Sequence, residues 1–259
     1  MIGLFFLLMA IAYVAISLKK DSIAAIATAQ INKQVKGTVE FEDLSPNFLR
    51  TFPNISIRLT NVIVRDSFWN VHRHDFFAAE KIYIRLQLLS LVSGKPKIGK
   101  VIIENATITL FTDECGDCNF KPQESVSFSR GDSDIPEFTF YNTRFVSENH
   151  FLNAYHDIEA EYLDCAIHKK DTVYDLHFDM DLLVHGLGFN LAKGSYLEEK
   201  EMKGDFHLAY FPKNKISFDD VTWMIDHHPF QVKGEILLHT DPTYFDFTLK
   251  TEGVNYKKA

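Results

Sequence analysis

The stretch Phe52–Arg65, FPNISIRLTNVIVR, constrains the fold more than any other part of this chain. Apolar and polar residues alternate from Ile55 to Leu59, and a period of two is typical of a half-buried β-strand. At Asn61 the alternation slips by one residue and then resumes at Val62. Such a slip sends the later apolar side chains to the opposite face unless a bulge or strand break absorbs it. Asparagine suits such a break because its short side chain can bond its own backbone and it tolerates the left-handed region.

Later segments repeat this unit of strand, polar residue and strand. The polar residues, called pivots below, are Asn61, Asn105, Asn142, Asp181 and Asp220, and the copy around Asp181 is the weakest. They lie about forty residues apart, a spacing typical of a repeated pair of hairpin strands. The alternative is the chance periodicity of an all-β protein. If the repeat is real, Asn61, Asn105, Asn142 and Asp220 share one backbone geometry.

Other alternating segments run from Lys81–Leu86 to Tyr244–Thr251, separated by turn signals such as Asp241–Pro242. A single turn over Leu88–Val92 is the only candidate helix among them. We therefore predict a mainly β fold: a long curved antiparallel sheet of the repeating β-groove type, with little helix beyond the amino-terminal region. Such a sheet must close into a barrel, pack as two sheets or hold something apolar.

The first eighteen residues, Met1–Leu18, contain no charge and precede Lys19 and Lys20. As a helix they would span about 27 Å, close to one hydrocarbon thickness, so we predict a transmembrane anchor. The alternative is a cleaved signal peptide with a small-residue site at Ala27–Ala29, although signal peptides carry their positive charge before the apolar run. Taken alone, the two lysines would place the following domain in the cytoplasm.

After the anchor, residues 19–37 are predicted to form a linking amphipathic helix that ends at Gly37. Residues 38–259 are predicted to form the β-groove domain. The last residues, Thr243–Ala259, still read as strand, and we expect the chain to be truncated at its carboxyl end.

Composition excludes several functions. The net charge of -8 and the pI near 5.7 argue against a nucleic-acid partner, because phosphate binding needs a basic stripe. We find no G-x-S-x-G motif, phosphate-binding glycine loop or H-E-x-x-H motif. We therefore predict no catalytic residue, no cofactor and no metal site, and interpret the chain as a non-enzyme.

Two groups of residues offer weaker chemistry. Cys115 and Cys118 form a C-x-x-C in a predicted hairpin tip, where a local disulfide, free thiols and a metal or redox role all stay open. His72 and His74 would share one face of a strand, but this pattern in a charged loop is usually solvated surface.

Several segments together resemble the amino-terminal region of the AsmA-like family of Gram-negative bacteria, the group that includes AsmA, TamB and YhdP. The resemblance covers roughly the first 120 residues. After the predicted membrane helix, these segments are AQINKQVKGTVEFEDL (Ala29–Leu44), FPNISIRLTNVIVRD (Phe52–Asp66), AAEKIYIRLQLLSLVSGKPKIGKVIIENATITL (Ala78–Leu110) and DECGDCNF (Asp113–Phe120). In the last of these, the pair of cysteines departs from the acidic turn of relatives.

The resemblance implies a single-pass inner-membrane anchor with the body in the periplasm, against the lysine count. It also implies a role in outer-membrane biogenesis, with phospholipid moving along an apolar β-groove. The implied partners are membrane phospholipid and, at the carboxy-terminal end, other envelope proteins.

On this interpretation, apolar side chains of the first strands line the groove, although the phase slips predict that only one subset faces inward at a time. The candidates are Ile55, Ile57, Leu59, Ile82, Ile84, Leu86, Val101, Ile103, Ile108 and Leu110. Two alternatives stay open: a membrane-tethered β-sandwich that acts as an interaction module without lipid, and, with less support, a metal-dependent hydrolase.

Overall fold

The computed structural model describes residues 37–47, 50–51, 56–86, 98–120, 135–212, 214–238 and 244–252. The strands are β1 Gly37–Glu40, β2 Asp43–Asn47, β3 Ser56–Asp66, β4 Phe77–Leu86, β5 Ile98–Thr112, β6 Glu137–Asn149, β7 Ala154–Lys170, β8 Val173–Gly188, β9 Lys200–Phe211, β10 Lys215–Ile225, β11 His228–Leu237 and β12 Tyr244–Thr251. Within these ranges, helix is limited to α1, Trp69–His72, and a 3₁₀ turn at Leu191–Lys193. The predicted mainly β fold with little helix is therefore confirmed for the described residues.

All twelve strands belong to one sheet in the order β1-β3-β4-β5-β6-β7-β8-β9-β10-β11-β12, with β2 also paired to β3. The expectation of a purely antiparallel sheet is wrong at one place, because β5 and β6 pair in parallel, from Lys100 opposite Glu137 to Thr112 opposite Asn149. A parallel pair needs a connection of a dozen or more residues, and the chain between Thr112 and Glu137 is long enough to return to the end of the sheet at which β5 begins.

Three predicted pivots share one conformation. Asn61, Asn105 and Asn142 have φ angles of 49°, 53° and 47°, all in the left-handed region. Each side chain is exposed and donates a hydrogen bond across the sheet: Asn61 to Glu42, Asn105 to Glu80, and Asn142 to the Asn105 side-chain oxygen. The short amide therefore serves both the turn of the backbone and the contact to the next strand.

The left-handed pivot keeps both apolar sets of a strand on the same face. In β3, Ile57 and Leu59 before Asn61 and Val62 and Val64 after it are all buried in one cluster. The expectation that only one subset faces inward is therefore wrong. The reason is that the left-handed residue turns the backbone enough to absorb the slip, as a bulge does.

The remaining pivots behave differently. Asp181 does not have a positive φ. The alternation of β8 continues through it without a slip, with Met180, Leu182 and Val184 all buried. Near Asp220 the pairing of β10 with β11 shifts register between Phe218 and Val221. The shared geometry is thus confirmed for the three asparagines, Asp220 lies at a break of another kind, and the regular repeat fails at Asp181.

Both long edges of the sheet are described. One edge is formed by β1 and β2, which are separated at Phe41 and Glu42, opposite the Asn61 pivot. At the other edge, every residue of β12 is exposed.

We call the end of the sheet where β1 begins the Gly37 end. Gly37 pairs with Asp66, the last residue of β3, so the connection to β4 lies at this end. By the same register, residues 113–120, 150–153 and 189–199 lie there too.

Several predicted elements lie outside the described residues: the anchor Met1–Leu18, the turn Leu88–Val92 and the linking helix over 19–37, apart from Gly37. Gly37 was predicted to end that helix and is instead the first residue of β1. Among the residues that are described, no helix has the length and apolar character needed to cross a membrane.

Candidate functional site: the apolar face of the sheet

The first half of the sheet carries a buried apolar cluster on one face. Its buried members are Val39, Leu44, Ile57, Leu59, Val62, Val64, Ala79, Ile82, Leu86, Ile103 and Ala106. Partly buried side chains pack against them, including Phe41, Phe76, Phe77 and Phe140. These residues come from β1 to β6, so the cluster crosses six neighbouring strands rather than filling a gap between two sheets.

Most predicted groove residues belong to this cluster. Ile57, Leu59, Ile82, Leu86 and Ile103 are buried in it, and Ile84 and Val101 pack against it. By contrast, Ile108 is partly buried outside both clusters and Leu110 is 42% exposed, while Ile55 lies outside the described residues.

Sequence reasoning missed a second cluster on the later strands. Its buried members are Ala160, Met180, Leu182, Phe206, Val221 and Val232, and Phe145, Ile158, Leu163, Phe178, Met202, Leu208, Phe218 and Trp223 pack against them. The same alternation marks these strands in the sequence, so period two was a sufficient signal.

Aromatic contacts join the two clusters. Phe140 and Phe145 lie at either side of the Asn142 pivot, and their ring centroids are 5.5 Å apart in an edge-to-face arrangement. Since Phe140 packs on the first cluster and Phe145 on the second, the apolar face is continuous from β1 to β11. We use the name apolar face for the two clusters together.

Glycine shapes one part of this face. A Cβ placed on Gly204 of β9 would lie 3.1 Å from Trp223 Cδ1 and 3.3 Å from Phe206 Cδ1. The missing side chain therefore leaves room for the indole ring, which meets the Phe206 ring edge-to-face at 5.9 Å.

The opposite face is polar and carries ion pairs between neighbouring strands. Lys203 Nζ lies 2.8 Å from Asp181 Oδ2, and Lys215 Nζ lies 2.6 Å from Glu235 Oε2. Such exposed pairs contribute little stability, but they keep this face wet and set the chemical contrast with the apolar face.

One carboxylate is buried on the side of the sheet opposite the apolar face. Asp157 is 4% exposed and accepts two hydrogen bonds from Arg144, at 2.8 and 2.6 Å, and one from the Tyr155 hydroxyl at 3.1 Å. The Arg144 guanidinium lowers the pKa of Asp157, and burial raises the pKa of Tyr155. All three groups are satisfied by each other, so the arrangement is structural and offers no unpaired acid or base.

The predicted cysteine chemistry has no further support in the contacts. Cys115 is an exposed free thiol, and the free thiol of Cys118 donates to the Phe120 carbonyl oxygen at 3.1 Å. The disulfide between them stays a prediction. Cys165 lies on β7, and burial raises the pKa of its thiol to about 11, so it is an inert packing residue.

Five of the ten described histidines lie within hydrogen-bond distance of a carboxylate: His72, His150, His177, His185 and His207. His72 Nε2 lies 2.9 Å from Asp66 Oδ1, and the His74 ring stacks on Phe111 at 4.2 Å. His177 and His207 stack at 4.4 Å on the polar face. In the described part of the chain, no three His, Cys, Asp or Glu side chains are placed to hold a metal ion.

Comparison with known proteins adds no identity to this geometry: no protein-family model matches the chain, and no curated protein matches it.

Proposed function

We propose that this protein binds phospholipid acyl chains on its apolar face and conducts them between membranes in outer-membrane biogenesis, as the resemblance to the AsmA-like family implies. A single amino-terminal helix anchors it in the inner membrane, and the sheet stands in the periplasm. The observation that carries the proposal is the continuous apolar face of one sheet, which no second layer covers among the described residues.

The chemistry of this face favours an alkyl ligand. Its side chains are aliphatic, aromatic or methionine, and its length follows the whole run of strands. Each methylene that leaves water for such a surface contributes about 0.8 kcal/mol, without any need for a directional polar contact. Long acyl chains therefore match the face better than a small polar substrate does.

Curvature is part of the proposal. Many side chains on this face are less than a tenth exposed although they belong to a single sheet. The pivots of β3, β5 and β6 form a row at which the backbone turns, and a sheet that curls along such a row makes a trough with the apolar face inside.

Topology can be tested directly. A reporter fused after Lys36 should be active on the periplasmic side only. Activity on the cytoplasmic side, which Lys19 and Lys20 alone would predict, would contradict the proposed location.

Lipid carriage can be tested on the full chain purified in mild detergent. We expect mass spectrometry of an organic extract to find phospholipid in excess of the detergent control. Phe145→Glu places a charge where the two clusters meet and should reduce the bound lipid strongly. Met224→Glu is the control. Met224 follows Trp223 of the second cluster, so it lies on the other face, and it is opposite Lys203, where a carboxylate should leave the lipid content unchanged.

Two outcomes would overturn the proposal. A correctly folded protein without lipid would favour the interaction module, and an equal effect of both substitutions would show that bound lipid does not lie on this face. Metal analysis of the same sample tests the hydrolase alternative, which stoichiometric zinc or iron would support.

A further inference from the structure

The loops at the Gly37 end of the sheet present apolar side chains to solvent. They lie in three separate connections: residues 67–76, 150–153 and 189–199. The most exposed at this end are Val71, Tyr196, Phe68, Phe151, Leu152 and Phe189, which are between 58% and 83% exposed. We call these six side chains the rim. Single exposed apolar residues are ordinary, but a set gathered at one end from separate loops indicates a binding surface.

Hydrogen bonds fix the loops that carry the rim. The Asn149 side chain accepts from the Leu152 backbone N–H at 2.8 Å, and the Asn190 side chain accepts from Ala192 N–H at 3.0 Å. The two loops also bond each other, since Leu191 N–H donates to the Asn153 carbonyl oxygen at 2.9 Å. The exposed side chains are thus held outward by ordered backbone.

Ring contacts extend this order. The Phe189 ring meets His156 edge-to-face at 5.0 Å and lies 5.7 Å from the Tyr196 ring, and a Cβ placed on Gly116 would lie 3.7 Å from the Phe151 ring. The guanidinium groups of Arg65 and Arg73 both lie over the Trp69 ring of α1, at 4.5 and 4.6 Å from its centroid. Aromatic rings with cationic neighbours beside exposed apolar tips are typical of a membrane–water interface.

The position of the rim favours a lipid bilayer as its occupant. The uncharged stretch Met1–Leu18 joins the sheet through Gly37, which lies at the same end as the rim. The described turn at the far end of β7 and β8 is instead polar, with Lys170, Asp171 and Thr172.

We propose that the rim docks into the periplasmic leaflet of the membrane that holds the anchor. The sheet then stands on this bilayer with its Gly37 end in contact with lipid. The inference rests on the proposed anchor but not on lipid carriage along the apolar face. Because Glu114, Asp117, Glu148 and Glu198 lie at the same end, the docking is driven by apolar contact and is stronger on zwitterionic than on anionic lipid.

The test uses the full chain in bilayers of phosphatidylcholine whose acyl chains carry bromine, which quenches tryptophan on contact. Tyr196→Trp places a probe on the rim, and Tyr244→Trp places the same probe at the opposite end, at positions 63% and 54% exposed. The native Trp69 and Trp223 are common to both variants. We expect Tyr196→Trp to lose much more intensity than Tyr244→Trp, relative to wild type in each case.

Further substitutions identify the contact. Phe151→Asp with Leu152→Asp should abolish the extra quenching at position 196, whereas Phe245→Asp on β12 should not. Adding phosphatidylglycerol, an anionic lipid, to the bilayers should reduce the extra quenching of the Tyr196→Trp variant. Absence of quenching at position 196, or equal quenching at 196 and 244, would overturn the inference, even if lipid extraction still finds phospholipid on the protein.

Discussion

The left-handed conformation of Asn105 can be tested by comparing alanine and glycine at one position. Asn105 lies in the middle of β5, is exposed and has a φ of 53°. A residue with a Cβ costs about 1–2 kcal/mol in this region, whereas glycine costs nothing there but loses about 0.5–1 kcal/mol of backbone entropy on folding. Both replacements lose the same side-chain hydrogen bonds to Glu80 and Asn142, worth about 0.5–1.5 kcal/mol each.

These terms predict that Asn105→Gly is more stable than Asn105→Ala by about 1 kcal/mol, because the hydrogen-bond loss cancels between them. Thr107, two residues further along β5, is exposed too and has no positive φ, so it is a matched control. There the order reverses: Thr107→Gly should be less stable than Thr107→Ala by about 0.5–1 kcal/mol.

The assay is hydrogen exchange of the β5 amides under native conditions, with urea unfolding in mild detergent as a second measure. Exchange reports the local opening free energy, which suits an extended sheet whose strands contact mainly their neighbours. If the alanine and glycine variants rank in the same order of stability at positions 105 and 107, Asn105 does not require the left-handed conformation. That result would also contradict its role in keeping the apolar side chains of β5 on one face.

Two further predictions concern backbone packing and pH. Gly234→Ala should loosen β12 and speed exchange of its amides, because the added Cβ would lie 2.0 Å from the Asp246 carbonyl oxygen, whereas Gly186→Ala, with its nearest contact at 4.0 Å, should not. The second concerns the ion pair of Asp157 with Arg144, which lowers the pKa of Asp157 in the folded protein. The pair therefore stabilises the fold fully at pH values above the pKa of Asp157 in the unfolded chain, and this stabilisation is lost as the pH falls through the lowered pKa of the folded state. Arg144→Met should therefore cost about 1–3 kcal/mol at pH 7. The difference between the two urea midpoints should shrink as the pH is lowered below the ordinary pKa of an aspartate; a difference that stays constant would contradict the assigned pairing.

Local sequence chemistry predicted three of the five pivots, Asn61, Asn105 and Asn142, because asparagine has its own preference for the left-handed region. It did not predict that β4 and β7 also slip, at Glu80 and Glu161, where neither residue has a positive φ. Glu80 lies opposite both Asn61 and Asn105, so the neighbours impose the change of phase on β4. A residue whose conformation follows from its partners leaves no signal of its own in the sequence.

Strand direction was equally hidden. Alternation is the same for parallel and antiparallel strands, so KVIIENATITLF and the segment after Glu137 could not reveal that β5 and β6 run together. The candidate site was predictable to the extent that period two marks the buried side of each strand. Leu110 was predicted to line the groove but is exposed, because it lies near the Gly37 end, beyond the side chains that cover the centre of the apolar face.

Binding strength limits how a lipid conduit can be built. Full burial of an acyl chain of about 16 carbons at about 0.8 kcal/mol per methylene would contribute on the order of 13 kcal/mol, and such tight binding would hold the cargo rather than pass it on. An open face on a single sheet covers a chain on one side only and roughly halves this term. The partly exposed rings of Phe140, Phe145 and Phe178 then offer a series of similar, weak contacts along the strands. A closed barrel made from the same residues would bind lipid more tightly and move it less readily, so one described sheet with a continuous apolar face fits the proposed conduction of lipid better than storage.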